Sequence, residues 1–320
     1  MTGYEKDEHS EVTVLSGYVG SGPVAVQVTR TKTTRAESRA KAPALMPSLF
    51  VVMWSSAFVA GLIGVGAAPP LLLTFARFAL AGLLLGGYAL AVRAPWPRGR
   101  RLAHVVVAGL LVQVVQFGAF YSALGLGVPA AVIALVQGLS PMVVALLAGR
   151  ALGERMSPVR WAGFGLGAAG VGLAVADRVS FSPAALALCA AGLLGLSAGT
   201  VYQKRFAADM DVRTGTAVQF LAGAPLMGLG ALLLETPRVG DWGAFGGAVA
   251  WLVLVNSIGA FLLLNTMLRD APASRVSTMF FLTPAVTAVM AWLVAGQSLH
   301  PLAVAGLVVG GAGVLLAARR

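Results

Sequence analysis

Along this chain apolar residues run in long unbroken stretches rather than in the short alternations of a soluble fold. Ten windows hold roughly the 20 mainly apolar residues that a helix needs to cross the hydrocarbon of a bilayer: about 46–65, 70–92, 102–121, 128–149, 158–176, 184–203, 214–234, 243–265, 271–294 and 302–318. Lipid offers no partner to unpaired backbone groups, so these windows predict helices. The dyad alternation of a β-barrel is absent. Residues 1–44 are different: Thr, Ser, Gly, Lys and Glu dominate, with no sustained apolar period, and the pattern predicts a disordered tail. The reading is an all-α integral membrane protein.

The pattern also repeats. Gly127 to Ala174 lies over Asp270 to Ala317 at a constant shift of 143 positions without a gap. Pro129 falls on Pro272, Pro141 on Pro284, Gly153 on Gly296 and Pro158 on Pro301. Gly163, Gly167 and Gly170 fall on Gly306, Gly310 and Gly313. Further upstream Gln113 meets Asn256 at the same shift. The chain is thus a tandem duplication, with a first half over 46–176 and a second over 184–318. Five spans separate a residue from its copy, and five is odd, so the halves are expected to insert with opposite orientation and to enclose a site near the midplane.

Composition agrees with the pattern. Hydrophobic residues make up 58% and charged ones 11%, with a mean hydropathy of +0.84. The net charge of +11 comes from basic residues set between apolar runs, not from a stripe with interleaved aromatics, so nucleic-acid binding is not expected. All 23 Lys and Arg except Arg77, Arg178 and Arg238 fall on one side of the ten-span arrangement, which predicts both termini in the cytoplasm. Trp96, Trp161, Trp242 and Trp292 lie near span ends, where indoles prefer the interface. One cysteine, Cys189, makes no disulfide framework, and no metal-ligand spacing or cofactor motif occurs. HExxH, GxSxG and Walker sequences are missing, and the three histidines lie in the tail or beside spans, so an enzyme is not expected.

The run GERMSPVRWAGFGLGAAGVGLA after the fourth span resembles the EamA-type carriers of the drug/metabolite transporter superfamily. So do WSSAF in the first span, PLLLTFARF opening the second, SPMVVALLAG in the fourth, and GQSLHPLAVAGLVVGGAGVLL near the end. The resemblance implies a ten-helix bundle of two inverted five-helix repeats that moves small metabolites, usually outward, across a bacterial plasma membrane. It also predicts an arginine at Arg77 whatever the solute. Glu154 matches the family's loop acid, whereas its copy is Gln297. Export of an amino acid or related compound by a monomer or homodimer is the expectation. Uptake of a similar solute, or a scaffold or sensor role, is the alternative.

Candidate binding residues are the polar and helix-perturbing positions inside spans. Pro141 and Pro284 are expected to kink their helices beside the site, or simply to pack. Gln113, Gln137 and Asn256 either line a cavity or glue helices together. Trp54 and Ser55 with Ser56 in the first span, and Phe280 and Thr283 with Ser277 and Thr278 in the ninth, could wall an apolar pocket. Arg77 is the one basic residue inside a span: it meets a substrate anion, bonds backbone carbonyls or snorkels outward. Tyr121, Tyr202 and Gln203 lie near span ends and read as interfacial. No Asp, Glu or His occupies a span interior, which disfavours proton antiport and points to a facilitator driven by the solute gradient.

Overall fold

The computed structural model describes residues 13–18, 23–28, 45–151, 157–176, 182–296 and 301–318, in two separate compact units, Met1–Met46 and Pro47–Arg320. The Glu154 and Gln297 positions lie outside the described residues. In the first unit, strand β1 (Thr13–Tyr18) pairs antiparallel with β2 (Pro23–Val28), Thr13 opposite Val28 and Tyr18 opposite Pro23. These strands lie within the stretch 1–44 that the sequence reads as a disordered tail. Val24, Val26 and Val28 alternate with smaller or polar residues and suit a strand, but twelve residues are too few to register against the polar tail around them.

From Leu45 onward the described helices follow the apolar windows. They are α1 (Leu45–Ala67), α2 (Pro70–Ala91), α3 (Arg100–Gly125), α4 (Ala130–Gln137, resuming as Ser140–Ala151) and α5 (Pro158–Ala176). Then come α6 (Pro183–Phe206), α7 (Val212–Leu234), α8 (Trp242–Asp270), α9 (Ala273–Ser277, a 3₁₀ turn Thr278–Phe281, then Thr283–Ala295) and α10 (Pro301–Ala318). Among the described residues, eight of these are long and apolar enough to cross a membrane: α1 to α4 and α6 to α9. The ends carry ordinary caps. Ser182 accepts from the Ala185 amide, Asp211 from Arg213 and Thr214, and Asp241 from Ala244.

Equivalent helices of the two halves pack on each other, and they run antiparallel. Gly82 and Gly86 of α2 lie against Leu221 of α7, while Gly228 and Gly230 lie against Phe75 and Leu71, so partner numbers fall as residue numbers rise. The α5–α10 pair is reciprocal. A Cβ at Gly170 would stand 2.5 Å from the Gly306 carbonyl and 2.6 Å from the Gly310 amide. A Cβ at Gly313 would stand 2.6 Å from the Gly163 carbonyl and 2.6 Å from the Gly167 amide. At the 143-residue shift each contact is the image of the other, the signature of a two-fold relation between the halves. Only hydrogen fits where the backbones approach this closely. Leucines such as Leu83, Leu232 and Leu293 point outward from the bundle, and an apolar exterior is what a bilayer solvates.

The first helix of each half crosses to the other. Ser55 on α1 donates to the Thr283 carbonyl on α9 (3.3 Å), and Ser197 on α6 meets Ser140 on α4 (3.1 Å). Backbone irregularities recur at the same shift. A π-helical segment occupies Leu110–Phe117 in α3 and Leu252–Ala260 in α8. Helix α4 breaks at Gly138–Leu139, and α9 breaks at Leu282 after its 3₁₀ turn. Pro141 and Pro284 therefore do not kink continuous helices, as the sequence suggested. Each sits in the first turn of a restarted segment, where its missing N–H costs nothing.

Candidate functional site

The two π segments and two breaks bring polar side chains into the buried interior. Gln113 lies on the α3 π segment, wholly buried, and neither its Oε1 nor its Nε2 has a partner. Three residues on, Gln116 Nε2 donates to Gln137 Oε1 at 3.4 Å, which leaves Gln116 Oε1 and Gln137 Nε2 unsatisfied. On the α8 π segment Asn256 donates to the Met53 carbonyl and to Ser56 Oγ (3.4 Å), with Oδ1 unpaired. The hydroxyls of Thr283 and Thr287 also lack partners. A buried polar atom without a hydrogen bond costs roughly 1–3 kcal/mol. So many in one bundle point to partners that arrive from outside the chain. A π bulge rotates side chains off the α register and recurs at functional sites. Here it does so at matched places in both halves.

Aromatic rings from α1, α3, α8 and α9 pack together in the same bundle. Trp54 is 3% exposed and stands 5.1 Å from Phe280, 5.2 Å from Phe50 and from Phe261, and 6.1 Å from Phe117, ring centre to ring centre. Phe78 and Phe220 continue the cluster at 5.5 Å. The sequence singled out Trp54 and Phe280 as pocket walls; the structure joins them across the two halves and adds rings that no spacing rule identified. Pro284 packs near Gly138 at the facing break. A groove of about 490 Å³ opens between α1, α8 and α9, lined by Val59, Ile63, Ala248 and Met290, and none of the clustered rings lines it. At its edge Trp251 Nε1 donates to Ser56 Oγ (2.9 Å).

Arg77 does not snorkel. It is fully buried, its Nε donating to Ser257 Oγ (2.7 Å) and its Nη1 to Tyr121 Oη (2.9 Å). Tyr121 in turn donates to the Ala57 carbonyl (3.3 Å). The guanidinium lies 4.3 Å from the Phe117 ring centre, within cation–π reach. Tyr121, expected at the interface, is instead 2% exposed and part of the site. Gln203, also expected there, is buried in a chain running from Gln219 to Gln203 (2.8 Å), on to Asn265 (2.7 Å) and then Thr216 (2.6 Å). Sequence reading missed Ser257, Gln219 and Thr216. Their signal was weak, because at the 143-residue shift they fall on Val114, Ala76 and Leu73, none of them polar.

Comparison with known proteins decides the family. Residues 43–176 and again 183–319 match the EamA-like transporter family, together most of the chain. The chain belongs to the EamA-like transporter family. Two relatives share this EamA pattern. One is the uncharacterized inner membrane transporter YedA of Escherichia coli, 26% identical over 251 residues, 78% of this chain and 81% of that one. The other is the uncharacterized transporter YvbV of Bacillus subtilis, 26% identical over 273 residues, 82% of this chain and 87% of that one. A crystal structure of a protein 25% identical superimposes with a TM-score of 0.67, over 86% of this chain and 95% of that chain. The two family matches are the two halves found by internal repetition, and they identify this EamA-family chain as a membrane transporter.

Proposed function

We propose that this EamA-family protein is a ten-span carrier of two inverted halves, exporting small metabolites such as amino acids or related compounds across a bacterial inner membrane by alternating access. The observation that supports this reading is the set of unsatisfied buried amides on helices that break or bulge at equivalent places in antiparallel halves. Such a centre binds a solute by supplying the hydrogen bonds its water shell supplied, and rocking one half against the other exposes it to each side in turn. The antiparallel α2–α7 and α5–α10 pairs support the inversion. The names of the relatives support the membrane. The span interiors bear no acid or His in the sequence, which favours movement down a solute gradient over proton antiport.

Flux from proteoliposomes loaded with a broad metabolite panel tests the function; vesicles that release no more than protein-free controls would refute it. Gln113→Ala and Asn256→Ala are each expected to lower flux by roughly two- to twelve-fold, the range for one lost hydrogen bond to a solute, at unchanged membrane abundance. If both variants transport normally, the amides serve helix packing alone.

A further inference from the structure

We propose that His104, Tyr202 and Phe206 form the gate that shuts the cytoplasmic end of the solute's route, and that the groove between α1, α8 and α9 is the same route standing open at the other end. The inference rests on the alternating-access reading above and assigns its closed side to named residues. Duplicated halves of opposite orientation allow the comparison, because each place at one end of the bundle has an image at the other. Val59, Ala60, Ile63, Gly247 and Ala248 line the open groove. At the 143-residue shift they become Tyr202, Gln203, Phe206, His104 and Val105. A second cavity lies there. Val105 and Phe206 line it together with Arg101, the image of Ala244 in the groove, but it holds about 120 Å³ against about 490 Å³.

Side chains and helix spacing account for the difference. Small and aliphatic residues leave the groove empty, whereas rings occupy its image. His104 on α3 lies flat against Phe206 on α6, ring centres 4.9 Å apart and planes 12° from parallel. Tyr202 packs on Phe206 at 4.8 Å, and its Oη shares a 2.8 Å hydrogen bond with His104 Nδ1. The contacts of His104 thus tie a helix of the first half to a helix of the second. Beside them Arg101 pairs with Asp209 just past α6 (3.2 Å). Further along, the two backbones meet: a Cβ at Gly195 on α6 would stand 2.8 Å from the Leu111 carbonyl oxygen on α3. The image of Gly195 on α1 is Val52, which is 45% exposed. There α1 meets α8 through the side chains of Trp251 and Asn256 instead. Equivalent helices therefore take two packings, pressed together at one end and parted at the other, as a carrier facing one side requires. In the orientation that the basic residues predict, the closed end faces the cytoplasm.

A water-soluble, membrane-impermeant maleimide reads both ends of the full chain in proteoliposomes of known orientation, in a Cys189→Ala background. With the gate residues intact, Ala248→Cys is expected to react quickly from the outer face and Val105→Cys slowly from the cytoplasmic one. Each ring pair or hydrogen bond is worth roughly two- to twelve-fold in an equilibrium. Combining His104→Ala with Phe206→Leu removes the stack, the tyrosine pair and the hydrogen bond together. The rate at Val105→Cys should then rise roughly ten-fold or more while the rate at Ala248→Cys falls. That linked fall separates a gate from a hole. Rings that merely fill space would, on removal, raise the first rate and leave the second alone, and this outcome overturns the proposal. Fast reaction of Val105→Cys, or no reaction of Ala248→Cys, with the gate residues intact also overturns it, and that comparison stands if the double variant does not fold. None of these readings needs a transported solute, so the gate can fail while metabolite efflux stands, and efflux can fail while the gate is measured.

Discussion

Gly61 on α1 leaves room for Tyr121, and a Cβ built there collides with the edge of its ring. Because Tyr121 positions Arg77, Gly61→Ala is expected to disturb flux without touching any solute, in the same direction as Tyr121→Phe. Proteoliposome efflux of both variants at matched abundance checks this; normal efflux from Gly61→Ala would show that the tyrosine can move freely. Asp211 is a second residue whose neighbours set its behaviour. The hydrogen bond from the Arg213 side chain (2.8 Å) and the α7 amides of Thr214 and Arg213 hold its carboxyl below the ordinary aspartate range. A depressed native value means a contribution that is complete above about pH 4 and is lost as pH falls through the native value. Melting temperature is therefore expected to drop on acidification below pH 4, by less in Asp211→Asn than in the unaltered protein.

At the scale of elements, the α5–α10 contact is the most demanding. Backbone atoms of each helix occupy the space of a side chain at Gly170 and Gly313. Gly170→Val or Gly313→Val is expected to destabilise by at least about 1–3 kcal/mol, the usual cost of overpacking, and to lower the yield of monodisperse protein on size exclusion. The sequence exposed this pair because glycine matched glycine at a fixed shift. The chain of Gln219, Gln203, Asn265 and Thr216 was not legible in that way. It joins α6, α7 and α8 within one half, and at the shift its members become Ala76, Ala60, Ser122 and Leu73. Gln203→Leu leaves the Gln219 amide and the Asn265 carbonyl oxygen without partners, so a loss of roughly 1–3 kcal/mol for each is expected in thermal unfolding. Replacing Gln203 and Gln219 together by leucine should cost less than the two single effects combined.

For the whole molecule, the duplication, the apolar windows and the placement of basic residues predict a topology that labelling can test. In a Cys189→Ala background, Arg98→Cys and Arg205→Cys are expected to react from one side of the membrane and Arg238→Cys from the other; labelling of Arg98→Cys and Arg205→Cys from opposite sides would dismantle the inverted arrangement. By itself the sequence determined the helices, the two halves and the membrane setting, because apolar length and a repeated Pro and Gly pattern are local properties written along the chain. Only the tertiary structure decided which polar residues meet. Arg77 with Ser257, Ser55 with Thr283, and Trp54 with Phe261 and Phe280 are joined across more than a hundred residues. No local rule encodes those encounters, since they follow from how antiparallel helices cross and from backbone bulges that turn a side chain toward one neighbour instead of another.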